Sequence, residues 1–409
     1  MLKQLTILAA ALAMTTAASA KTTNFERLKG GAACDRWVDS VYNSLSERER
    51  VAQLVFPKAV PTMGADSRAV IKRYVETNGV GGLLFTAGSL EQYVEMTAYA
   101  QSVAKVPVLM TFDGEWGLAM RISGTPKFPT NMALGAVSDT TLLYEYGLEM
   151  GRHCRLAGQH VDFAPVLDVN SNPRNPVIGY RSFGENPERV AQLGTAFSRG
   201  LEDAGVQAVG KHFPGHGDTS TDSHKESTVV NHSLPVLESV DLVPFRHFVN
   251  AGLSGIMTGH IVVPALDPSG RPASLSSAMT TELLRRDMGF NGLIYTDALG
   301  MKGARLEGLN SAVEALKAGA DVLLSSNHPM EDIEAIYNQV KSGKISKSVI
   351  EDRCKRILRY KYLLGLPWEK PSDIKGLSER IASPECRALI QRLCAASITA
   401  LWNRANPLP

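Results

Sequence analysis

The chain has 409 residues, 44% of them hydrophobic, with 43 basic and 41 acidic side chains and a formal net charge of +2. That length buries a large core in one big domain or two smaller ones, and the near balance of charge, without a basic arm or acidic tail, argues against a nucleic-acid partner. The five cysteines, Cys34, Cys154, Cys354, Cys386 and Cys394, are odd in number and show neither paired zinc spacing nor the density of a disulfide scaffold.

Residues 1–20, "MLKQLTILAAALAMTTAASA", set Lys3 before an apolar run that ends in Ala18-Ser19-Ala20, the pattern of a signal peptide cleaved near Lys21. The expected location is therefore the periplasm or the exterior. The apolar run is short of the roughly 20 residues that span a bilayer, so no membrane span is expected in the mature chain. Lipid attachment at Cys34 is disfavoured by the polar "KTTNFERLKGGAAC" before it. Export permits a disulfide without requiring one, and Cys386 and Cys394, eight apart in a predicted helix, lie too far apart along the axis to bridge each other.

The chain then offers eight candidate strands: "VAQLVFP" from Val51, "GGLLFT" from Gly81, "VPVLMTFD" from Val106, "VDFAPVLD" from Val161, "VQAVGKH" from Val206, "SGIMTGH" from Ser254, "GLIYTD" from Gly292 and "DVLLSS" from Asp321. Amphipathic helical stretches such as "EQYVEMTAYAQSV" and "PERVAQLGTAFSRGLEDAG" separate them. Strand and helix alternating in this way predict an α/β fold, a (β/α)8 TIM-type barrel, as a single catalytic domain over 34–365 with a short helical extension over 366–409. An open doubly wound sheet usually shows a glycine-rich dinucleotide loop after its first strand, and none is present.

Active sites of such barrels occupy the C-terminal ends of the strands. There the sequence places Asp113 and Glu115, Asp168 and Asn170, Lys211 and His212, His260, and Asp297. The longest polar run, "KHFPGHGDTSTDSH" at 211–224, admits several chemistries. A zinc site would draw on His212, His216, His224, Asp218 and Asp222, but the spacing matches no zinc pattern and a glycine-rich loop is a poor rigid template. A phosphate cradle is opposed by the missing lysine placement and by an acid where phosphate would sit. An inert polar loop runs against the functional use of long loops on this barrel face. Acid/base chemistry fits better: Asp222, two residues from His224, is placed to hold one imidazole nitrogen and raise the basicity of the other. Asp297, ending an apolar strand, then offers a carboxylate nucleophile.

These blocks, from "WVDSVYNSLSERERVAQLVF" through "FDGEWGLAMR", "KFPTNMALGA", "DFAPVLDVNSNPRNPVIGYRSFGENPE", "KHFPGHGDTSTDSH" and "TDALGM" to "RILRYKYLLGL", resemble glycoside hydrolase family 3, specifically its β-N-acetylglucosaminidases. The resemblance implies hydrolysis of terminal non-reducing N-acetyl-β-D-hexosamine residues, from peptidoglycan fragments or chitooligosaccharides, with retention and a covalent glycosyl-enzyme intermediate. It makes Asp297 the nucleophile, His224 the general acid/base and Asp222 its orienting partner. Asp113, Arg121, Arg181, Lys211 and His212 match positions that bind sugar hydroxyls, and Met301 one that lines the site. It implies no cofactor and no metal, a carbohydrate partner and a monomer. Two departures stand out. "EWGLAM" replaces the family's frequent "EGGRV", so Trp116 is expected to border the sugar. The tail "LIQRLCAASITALWNRANPLP" resembles the start of a second domain in longer relatives, though length favours a helix packed on the barrel. The rival functions are a family 3 β-glucosidase or xylosidase, a non-catalytic sugar-binding barrel and a metal-dependent hydrolase. The remaining histidines and tryptophans are expected in core or surface roles.

Overall fold

Each predicted strand forms where a short run of apolar and β-branched residues meets a turn, in a computed structural model that describes residues 22–62, 64–221 and 228–399. Strand β1 comes in two pieces, Val55–Phe56 and Lys58–Ala59, either side of Pro57, which has no amide hydrogen to give a neighbour. It is followed by β2 (Gly82–Phe85), β3 (Leu109–Phe112), β4 (Val161–Asp162), β5 (Gln207–Phe213), β6 (Gly255–Thr258) and β7 (Leu293–Thr296), paired in that order, all parallel. The last strand, β8 (Leu323–Leu324), pairs with the first piece of β1 at Val55 and Phe56 and bridges β7 through Val322 and Tyr295. The sheet thus closes on itself, and the fold is the (β/α)8 barrel expected.

One boundary differs from expectation. Val51 and Ala52 end the helix Glu47–Ala52 rather than begin β1, because Ser46 and Glu49 form a reciprocal cap that commits this stretch to helix.

The helices between strands are α1 (Ala65–Lys72), α2 (Leu90–Ser102), α3 (Thr140–Leu156), α4 (Pro187–Asp203), α5 (Val243–Asn250), α6 (Ala278–Asp287, wound as a π-helix) and α7 (Ser311–Ala318), with α8 (Pro329–Lys341) after β8. Their starts are written in the sequence: Ser89, Asp139, Asn186 and Asn310 each accept a first-turn amide. On α4, Val190, Leu193, Phe197 and Leu201 recur every three or four residues and are buried. Strands covered by helices are buried on both faces, as in β2, β3 and β5.

The barrel interior is packed. Tyr295 on β7 meets Phe56 on β1 (ring centroids 6.4 Å) and Phe163 beyond β4 (5.4 Å), and its hydroxyl donates to Gln207 Oε1 at 2.6 Å. Residues from opposite sides of the barrel can meet this way only across its axis, so these rings plug the barrel beneath its C-terminal mouth.

Helix α9 (Lys347–Leu363) packs on the helix Ala32–Ser44, where Arg359 pairs with Asp35 at 2.8 Å. The tail supplies helices Leu377–Ile381 and Pro384–Ala396, which lie on α3. Arg152 donates to the Arg380 carbonyl at 2.9 Å, and Arg392 pairs with Glu145 at 2.5 Å. Residues 377–396 thus pack on the barrel as helices. All five cysteines are free thiols, and Cys394 alone is exposed. Among the described residues, no helix is long and apolar enough to cross a membrane.

Candidate active site

The C-terminal ends of the strands surround a cavity of about 620 Å³. Asp113, Arg121, Arg181, Lys211, His212, Asp297 and Met301 all line it. These seven come from distant stretches of sequence, so barrel closure is what brings them together. Asp222 and His224 lie outside the described residues.

A charge lattice fills one wall. Lys211, at the end of β5, is almost wholly buried and places Nζ 2.8 Å from both Asp113 Oδ1 and Glu115 Oε1. Arg121 Nη2 pairs with the other oxygen of Asp113 at 3.0 Å. Arg181 grips Glu115 with two donors, Nε at 2.9 Å and Nη2 at 2.7 Å, a fork geometry that fixes both planes. Asn131 in turn donates to the Arg181 carbonyl at 2.7 Å. Burial pushes the carboxyls of Asp113 and Glu115 upward, yet Lys211 and the arginines outweigh it and hold both below the usual carboxylate range.

His212 is held by Asp168, which follows β4. Its Nδ1 lies 2.8 Å from Asp168 Oδ2, and the backbone amides of His212 and His216 also donate to that carboxylate. The carboxylate can only accept, so Nδ1 carries a proton and Nε2 is left to the cavity, 3.5 Å from Arg181 Nη2. The Lys211–His212 peptide bond is cis.

Asp297 follows β7. Its backbone amide donates to the Thr258 carbonyl at 2.9 Å, which continues the strand pairing, and its Oδ1 accepts from the Ala298 amide at 2.7 Å. Burial raises its carboxyl, but His260, His212, the Ala298 amide and Lys211 prevail and bring it down to about 2. The result is an ionised carboxylate on the wall of the cavity. His260 donates from Nε2 to the Ala298 carbonyl at 3.0 Å and contacts Ser274 Oγ through Nδ1 at 2.7 Å, which orients the turn carrying Asp297.

The first half of the polar run is anchored. Gly217 lies so close to the Val169 carbonyl that a Cβ would fall 1.6 Å from its oxygen, and Gly215, at φ +138°, faces Asp241. Asn175 Nδ2 donates to the carbonyls of His216 (2.8 Å) and Gly217 (3.0 Å), while His232 joins Asp218 to Asp241. After residues 222–227, Thr228–Val229 pairs with Ile261–Val262 just beyond β6. The two glycines therefore serve the close packing of this segment. His216, pushed down to about 4 mainly by burial, is neutral and shares Nδ1 with Thr219 Oγ1 at 2.7 Å.

Three residues matter more than their sequence context alone indicates: Glu115, Asp168 and His260. All three are visible as polar residues closing apolar strands, but only the fold shows that Glu115 holds two cations, Asp168 sets the His212 tautomer and His260 supports Asp297. Trp116, expected to border the sugar, packs on the exposed Tyr180, ring centroids 5.6 Å apart, next in sequence to the cavity-lining Arg181.

The mouth of the parallel barrel thus joins an ionised aspartate to a lattice of paired acids and cations. Residues 46–360 match the model described as the glycosyl hydrolase family 3 N terminal domain, and the chain belongs to that family. It is 32% identical to "Beta-hexosaminidase A" of Pseudoalteromonas piscicida over 84% of this chain and 62% of that one, so it spans less than two thirds of that relative's length. It is 37% identical to "Beta-hexosaminidase" of Nitrosomonas eutropha over 61% of this chain and 74% of that one. Among solved structures, it is similar to a family 3 β-N-acetylglucosaminidase from Paenibacillus sp. str. FPU-7, with a TM-score of 0.83, 35% identity, and coverage of 88% of this chain and 70% of that one.

Proposed function

We propose that the protein is an exported, exo-acting β-N-acetylhexosaminidase that removes terminal non-reducing N-acetyl-β-D-hexosamine from peptidoglycan fragments or chitooligosaccharides, with retention of configuration. The observation that carries this reading is Asp297: a part-buried, ionised carboxylate at the end of β7, in a cavity of about 620 Å³ lined on another wall by Asp113, Lys211 and Arg121. Asp113 accepts from sugar hydroxyls while Lys211, Arg121 and Arg181 donate, and these bonds place the anomeric carbon over Asp297. Asp297 attacks that carbon as His224, oriented by Asp222, protonates the leaving oxygen. His224 then takes a proton from water, which attacks the glycosyl ester and frees Asp297. Two inversions give retention. The hexosaminidase names of the relatives and the "DSH" sequence support an N-acetylated substrate. Residues 1–20 are read as the export signal and the barrel chain as a monomer.

Chromogenic β-N-acetylglucosaminide and β-glucoside, assayed side by side with and without EDTA, test the reading. The expected result is a preference for the N-acetylated substrate, insensitive to EDTA and lost in Asp297→Ala and His224→Ala, with the β-anomer formed first in proton NMR. Preference for the glucoside, loss with EDTA, or first formation of the α-anomer would overturn it.

A further inference from the structure

On the barrel's flank, α3 carries Glu149 and His153 four residues apart and hence on one face. The tail helix Pro384–Ala396 sets Cys386 against that face. A carboxylate oxygen of Glu149, a ring nitrogen of His153 and the sulfur of Cys386 all lie within 4.8 Å of one another, and among the described residues this is the grouping of three such donors. His153 and Cys386 are completely buried, and Glu149 is part-buried.

The imidazole is the second observation. His153 Nε2 stands 3.0 Å from Glu149 Oε1, yet neither ring nitrogen completes a hydrogen bond of acceptable geometry, and the ring packs edge-on against Phe128 at 6.0 Å. Buried polar side chains are almost always satisfied, so an imidazole whose Nδ1 has no hydrogen-bond partner and whose Nε2 has only the Glu149 carboxylate beside it points to a missing ligand. One oxygen, one nitrogen and one sulfur donor suit a borderline-soft divalent ion of the zinc class, with water in the fourth position. Arg152 donates Nε and Nη2 to Glu149 at 2.8 and 2.6 Å, the outer partner that orients a ligating carboxylate.

We propose that Glu149, His153 and Cys386 form a three-donor zinc site that clips the C-terminal helix to α3. Cys386 binds as the thiolate and its proton leaves to solvent; no electron changes hands. The site lies on the outside of α3, away from the cavity, and is independent of the proposed hydrolysis.

The test uses the full mature chain, stripped with a chelator and titrated with Co²⁺ and then Zn²⁺. Expected are one equivalent of Co²⁺, a sulfur-to-cobalt charge-transfer band in the near ultraviolet that Zn²⁺ abolishes, and a rise in melting midpoint with Zn²⁺. Cys386→Ala should lose the band and weaken binding at least about 100-fold, as loss of a direct ligand exceeds outer-partner losses, while Cys394→Ala keeps both. Because His153→Ala opens a hole in the core, His153→Gln is paired with it and circular dichroism confirms folding. Absence of stoichiometric binding, binding without the thiolate band, or a band that survives Cys386→Ala would overturn the site.

Discussion

Two charge networks sit at opposite ends of the same barrel. At the mouth, Asp113 and Glu115 share Lys211, Arg121 and Arg181. At the other end Asp321, just before β8 and fully buried, accepts from Arg285 Nη2 at 2.6 Å and the Ile294 amide at 2.8 Å, with Arg353 and Arg356 at 3.4 and 3.5 Å. In both, burial raises the acids and cations more than reverse it. The difference lies in what the charges face. Those around Asp321 are enclosed by α6, β7 and α9, and their bonds tie those elements together. Those at the mouth face a cavity, where a polyhydroxylated ligand can take up the remaining donor and acceptor capacity. Burial and pairing alone therefore do not mark a functional site; the open side does.

The largest effect expected at the mouth is that of Asp297→Ala, which should lower kcat by about 10⁴-fold or more, as loss of the proposed nucleophile does, with a smaller loss of stability than at the sealed end. Steady-state kinetics and calorimetry on one preparation check both halves. At the sealed end Asp321→Ala should reverse the pattern: unfolding free energy falls by about 3–5 kcal/mol because buried arginines lose their acid, while kcat per folded molecule stays near wild type. Urea titration monitored by tryptophan fluorescence, with activity normalised to the folded fraction, measures this. If Asp321→Ala abolished turnover in a folded protein, the division between the two ends would fail.

The same division explains what is legible in the sequence. Barrel strands are buried on both faces and so appear as apolar runs, and the polar residue closing each run marks the mouth. This is why Asp113, Lys211, His212 and Asp297 are readable one strand at a time. Pairings across the barrel are not, since Lys211 and Glu115 are 96 positions apart and nothing local couples them. The start of β1 is hard to place because Val51 continues the same apolar run, and only the Ser46–Glu49 cap shows that it is helical. The Arg181–Glu115 fork is hidden for the same reason: each residue lies in a readable block, but only the fold brings the two together.

Acidity offers a sharper contrast between open and sealed carboxyls. Glu202 on α4 accepts from the Ser254 amide at 2.9 Å and hydroxyl at 2.5 Å, leaves Oε2 without a partner, and is pushed up to about 8, chiefly by burial. The folded chain thus keeps a proton that the unfolded chain releases above pH 4.5, the ordinary value, so this group makes stability fall as pH rises from 4.5 toward 8. Asp297, brought down to about 2, has the opposite sign: its contribution is present above 3.8 and is lost as pH falls through 2. Glu202→Gln should therefore flatten the decline in stability between pH 5 and 8 by on the order of 3 kcal/mol and leave the acid limb unchanged. Chemical denaturation at several pH values measures both limbs, and an unaltered slope in Glu202→Gln would show that Glu202 is ionised in the fold.

The smallest effect is expected of Arg121→Ala, which separates the two roles within the mouth itself. Asp113 lies between a buried cation, Lys211, and a half-exposed one, Arg121, whose side chain keeps 36% of its surface. A pair that exposed contributes little to folding, so stability should change by less than about 1 kcal/mol. Arg121 nevertheless holds the Asp113 oxygen that Lys211 does not, and its loss lets that carboxylate turn away from the sugar. KM should rise about 10-fold with kcat reduced much less, the pattern of a binding contact kept equally in ground and transition states. An equal fall in kcat and kcat/KM would instead place Arg121 among the groups whose contact tightens only in the transition state, and the hydroxyl-binding wall would then share in the chemistry of Asp297.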